Sequence, residues 1–92
     1  MATNALEPVI VTAQPDDAAT MLHEPLRDYQ AELLPGEEHA TISILPADDR
    51  RRGTVLYRVI QASRTVATEF PDSTLYLVTE DGSRWRLPPP AL

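Results

Sequence analysis

The sequence predicts an α+β fold: a small, mainly antiparallel sheet with one or two helices on one face. Two observations carry this expectation. Residues 74–80 and 83–87 alternate apolar and polar side chains around Asp81 and Gly82, the kind of dipeptide that most strongly signals a β-hairpin. Residues 54–70 contain no Gly, Pro, Asn or Asp, and Val55, Leu56, Val59, Ile60, Ser63, Val66, Ala67 and Phe70 recur at helical spacing. Such a run exceeds the roughly 3–10 residues of an ordinary strand. Its β-branched composition keeps one alternative open, a small all-β barrel or sandwich in which 54–70 is a long bent strand.

The remaining elements follow in chain order. Val9, Ile10, Val11 and Thr12 form a β-branched run that reads as a strand. Asp16 or Asp17 then suits the cap of a helix, expected over about 16–34 and broken at Pro25. Within it Leu26, Tyr29, Leu33 and Leu34 keep helical spacing. The same stretch also reads as half of a hairpin. Tyr29, Ala31 and Leu33 alternate with polar residues, Pro35 and Gly36 suit a turn, and Ala40, Ile42 and Ile44 alternate again. The helix is preferred for 26–34, and a strand is expected at 39–45.

Residues 46–53 have almost no apolar anchor and are expected as an exposed, mobile loop. In the terminal hairpin a two-residue type I′ turn at Asp81 and Gly82 is expected. Trp85 and Leu87 should face the core, with Arg84 and Arg86 outside. Residues 1–7 and 88–92 are expected as flexible or extended tails, the second a polyproline II run through Pro88, Pro89 and Pro90.

The length of 92 residues fits one small domain, 1–92. Without cysteine the core must be held by packing alone, and thiol chemistry and thiolate metal sites are excluded. No apolar stretch approaches the ~20 residues needed to cross a bilayer, and a cytoplasmic location is expected. The net charge is −6, and it is unevenly spread. Residues 1–46 hold eight acids and one base, whereas 47–92 hold six acids and seven arginines. An oriented surface follows from such asymmetry.

Candidate chemistry is sparse. His23 and His39 are the only histidines and lack metal-ligand spacing. The paired acids Asp16 and Asp17, Glu37 and Glu38, Asp48 and Asp49 read as caps and solvated loops, since catalytic carboxylates need contrasting environments. Three glycines cannot build a phosphate cradle. No catalytic residue, cofactor or metal is therefore assigned, and the chain is expected not to be an enzyme.

The candidate binding residues are Arg50, Arg51, Arg52, Arg84 and Arg86. Asp16, Asp17, Glu24, Asp28, Glu32, Glu37 and Glu38 are candidates for an acidic face. Nucleic acid through these arginines and Trp85 is disfavoured by a pI near 4.7. The expected function is a non-catalytic protein-binding module, a small regulator, inhibitor or accessory subunit acting through a charge-polarised surface. Its partner would be another protein, or a second copy through a sheet edge. The alternatives are a small-ligand binder or minor enzyme with a pocket near His39 or Arg58, and nucleic-acid binding.

Overall fold

The computed structural model describes residues 8–46, 49–79 and 81–88; the expectations for residues 1–7, for 89–92 and for Asp48 lie outside them. The fold is α+β and not a closed barrel. Strand β1 (Val9–Gln14) leads into helix α1 (Asp16–His23), a short 3-10 helix (Glu24–Tyr29), β2 (Ala31–Leu34) and β3 (Ala40–Ile44). Helix α2 (Asp49–Glu69), β4 (Thr74–Val78) and β5 (Arg84–Leu87) follow. The sheet order is β2-β3-β1-β4-β5, and every neighbouring pair is antiparallel. The first four strands with α1 and α2 trace two interleaved split β-α-β units, and β5 extends the sheet beyond β4.

Period-two alternation sorts the sheet residues into two faces. Rows such as Leu33, Ile42, Val11, Leu77 and Trp85 lie on the helix side. There Val9, Val11, Ala13, Ala40, Ile42, Ile44 and Leu75 are fully buried against Ala18, Ala19, Leu22, Leu26, Val55, Val59 and Val66. Helix α1 packs over β1, β2 and β3, and α2 over β1 and β5. The opposite face carries two rows across all five strands: Glu32, Ser43, Ile10, Val78 and Arg84, then Leu34, Thr41, Thr12, Tyr76 and Arg86. No described helix covers that face.

Four expectations change. Residues 31–34 are a strand, so the hairpin reading prevails over the helix from Ala31 onward, while Leu26 and Tyr29 stay helical in the 3-10 turn. Gln30 adopts a left-handed conformation (φ 60°) that ends the 3-10 helix, its N–H donating to the Arg27 carbonyl at 3.2 Å. Helix α2 starts at Asp49 instead of 54, so the arginines expected in a mobile loop lie in its first turns. Asp16 and Asp17 sit in the first turn of α1, next to the helix-dipole positive end, but make no cap bond; Pro15 is the N-cap. The terminal turn is longer than a type I′ turn. Thr79 N–H donates to the Ser83 carbonyl at 2.8 Å and Gly82 N–H to the Thr79 carbonyl at 3.0 Å, with Gly82 at φ 87°. That is a three-residue loop with glycine in the left-handed position.

Gly53 tests where α2 begins. It lies inside the helix, and nothing stands within 4 Å of where a Cβ would go. Gly53→Ala should therefore stabilise the protein by about 0.5–1 kcal/mol through backbone entropy, raising Tm by about 2–8 °C in a calorimetric scan. A mobile loop at this position, unfixed in the folded state as in the unfolded one, would give no such gain.

Candidate functional site

Trp85 belongs to the core-side row with Leu77, yet it is 63 % exposed, whereas Leu87 on the same side of β5 is buried at 4 %. The expectation that Trp85 is a core residue is thus corrected: its direction is as read, its burial is not. Strand β5 stands at the margin of the sheet, where Leu87 is covered and Trp85 is left largely open.

The exposed indole forms one wall of a groove of about 480 Å³ between the first half of α2 and the β4–β5 hairpin. Val9, Leu56 and Leu77 give it an apolar lining, and Arg52, Thr79, Asp81 and Ser83 form its polar rim. Asp81 fixes the turn at that rim. The Thr79 hydroxyl and the Ser83 backbone N–H (2.9 Å) both donate to its carboxylate. These bonds, the Thr79 contact first, hold its pKa down at about 2.

The sequence-derived candidates do not converge on one place. Arg50 is exposed on α2, Arg51 lines a hollow with Asp28, Tyr29 and Leu45, and Arg52 lines the Trp85 groove. Arg84 and Arg86 project from the other face of β5. The Arg84 guanidinium carbon lies 5.2 Å from the Tyr76 ring centroid, a cation–π contact. Asp16, Asp17, Glu37 and Glu38 come to one end of the sheet, because Gln14, Ala40 and Thr74 are neighbours there. Glu24 and Asp28 stand on the 3-10 helix, and Glu32 on the uncovered face.

The two residues of the ligand-pocket alternative are also apart. His39 lines a polar hollow of about 570 Å³ on the uncovered face with Glu37, Glu38, Thr12 and Arg84. Arg58 borders a groove of about 720 Å³ between the 3-10 helix and α2. That groove is the larger, but its guanidinium is turned along α2, donating to Gln61 Oε1 at 3.4 Å, and Glu24 is paired with Arg27 at 3.1 Å. His23 Nε2 donates to the Ala31 carbonyl at 2.9 Å, tying α1 to β2 at the far end of the sheet from His39. Among the described residues no group of His, Asp and Glu could hold a metal ion. Nor does any described helix have the length and apolarity to cross a membrane.

No protein-family model, curated protein or solved structure matches the chain. The groove itself was not legible in advance. One signal pointed to it: Trp85 lies just before Pro88, Pro89 and Pro90, and prolines are confined to the margins of sheets.

The Asp81 bonds predict a pH dependence. A carboxylate held near 2 when folded and near 3.9 when unfolded adds stability above about pH 4, lost as pH falls through about 2. An NMR titration should place the Asp81 midpoint near 2, and Thr79→Val should raise it toward the ordinary carboxylate value. A midpoint indifferent to Thr79 would contradict this account of the turn.

Proposed function

We propose that this chain is a non-catalytic, cytoplasmic protein-binding module, a small regulator, inhibitor or accessory subunit, whose contact is the Trp85 groove with the margin of β5. The observation that carries the reading is an indole left 63 % exposed beside Val9, Leu56 and Leu77. Tryptophan is enriched among residues that dominate binding energy, because it buries a large rigid surface at little entropic cost. Among the described residues β5 pairs with β4 alone, so its outer edge has backbone groups available to an added strand.

The partner that fits is an extended segment with alternating character. One side would set an apolar residue against Trp85, and the other would set acidic residues beside Arg84 and Arg86. These arginines also discourage two copies from joining through β5. In an antiparallel pair centred on Trp85, Arg84 of one copy would oppose Arg86 of the other, a like-charge juxtaposition. The charge polarity of the molecule is therefore read as partner selection.

Affinity capture from the native cells with wild-type and Trp85→Ala baits tests the proposal. The account expects a protein retained by the wild type and lost by the variant, whose binding protects the amides of residues 84–87 from hydrogen exchange. The substitution should alter unfolding free energy by less than about 1 kcal/mol, as for other exposed sites, so loss of capture is not loss of fold. Retention of the same proteins by both baits would refute it.

A further inference from the structure

The uncovered sheet face is not the plain polar surface that an antiparallel sheet commonly turns to water. Ile10 and Val78 sit side by side at its centre, and Tyr76 and Leu34 lie in the neighbouring row. Within its two complete rows the charges stand at opposite margins, Glu32 on β2 and Arg84 and Arg86 on β5, and beyond those rows Glu37, Glu38 and His39 border the hollow that Arg84 also lines. Strand β1 is the middle of the five.

We infer that this face binds a second copy of the same chain, sheet against sheet, about a two-fold axis running along β1. Rotation about that axis lays β2 of each copy over β5 of the other and keeps each row at its own height. Glu32 then faces Arg84 of the second copy, because both belong to the row Glu32, Ser43, Ile10, Val78, Arg84. Symmetry makes the contact twice. Ile10 meets its own equivalent at the axis, and Leu34 covers the aliphatic stem of Arg86. The other face-to-face two-fold, across the strands, would set Glu32 over Glu32 and arginine over arginine. The charge pattern thus selects one symmetry, an isologous and closed one.

The area is modest. Five strands about 4.8 Å apart and about 17 Å long give a face of roughly 24 by 17 Å, about 800 Å² over both copies, below the ~1,200 Å² of stable specific interfaces and in the range of weak, transient ones. The dimer should accordingly be weak, dissociating on the order of 10 µM, and weaker in high salt because its ion pairs lie at the rim.

Sedimentation equilibrium of the full chain provides the test. Wild type should pass from monomer to dimer with concentration. Glu32→Arg and Arg84→Glu should each weaken the dimer about tenfold, since each reverses two symmetry-related pairs. The double variant Glu32→Arg/Arg84→Glu should recover wild-type association to within about threefold, while Trp85→Ala leaves it unchanged, which distinguishes the dimer from partner binding in the Trp85 groove although both use Arg84. A chain monomeric up to about 1 mM, a dimer indifferent to the single reversals, or one not recovered by the double reversal overturns the inference.

Discussion

Five strands are wider than two helices. At about 4.8 Å per strand the sheet spans roughly 24 Å, and two helices about 10 Å across cover roughly 20 Å. The shortfall is about one strand, and it falls at β5. Helix α1 packs over β1, β2 and β3, while α2 packs over β1 and β5, where Leu87 is buried. Trp85, two residues earlier on the same side, projects beyond the cover. The groove lined by Val9, Leu56 and Leu77 is the space left at that overhang.

The rest of the architecture is organised around β1. It pairs along its length with β3 on one side and β4 on the other, so its side chains define both surfaces of the sheet. Val9, Val11 and Ala13 are buried toward the helices, and Ile10, Thr12 and Gln14 point to the uncovered face. The same pairings bring the first turn of α1 with Asp16 and Asp17 and the loop with Glu37 and Glu38 to one end, while the arginines of α2 start at the other. Charge asymmetry along the chain becomes asymmetry in space through strand direction. Neither Arg50, Arg51 and Arg52 nor the acids form a single patch, because adjacent residues on a helix point to different neighbours.

Much of the fold was legible in the sequence. Helical spacing from Val55 to Val66 outweighed the β-branched composition, since packing against the sheet overrides propensity. The β-branched run placed β1, and alternation placed β3, β4 and β5 and gave the correct facing of Arg84, Trp85 and Arg86. The failure at 31–34 has a physical source. Leu26, Tyr29, Leu33 and Leu34 fit helical spacing, but the chain switches period at Gln30, whose left-handed backbone no composition signal announces. The beginning of α2 was missed because Asp49, Arg50, Arg51 and Arg52 are all charged and leave no apolar trace at helical spacing.

The candidate site was legible only in part. Alternation reports which side of a strand a residue takes and is silent on whether anything lies above it. That depends on where the strand falls in the sheet order, a long-range property. Trp85 was accordingly read as core, although the same reasoning fixed its direction.

Trp85 is the one tryptophan of the chain, so its fluorescence measures the overhang directly. The account predicts that the folded monomer, kept dilute, emits at the red, water-exposed limit and is quenched by acrylamide almost as readily as after unfolding in urea. A blue-shifted emission protected from acrylamide would mean that the helix layer covers β5, and the groove on which the functional reading rests would not exist.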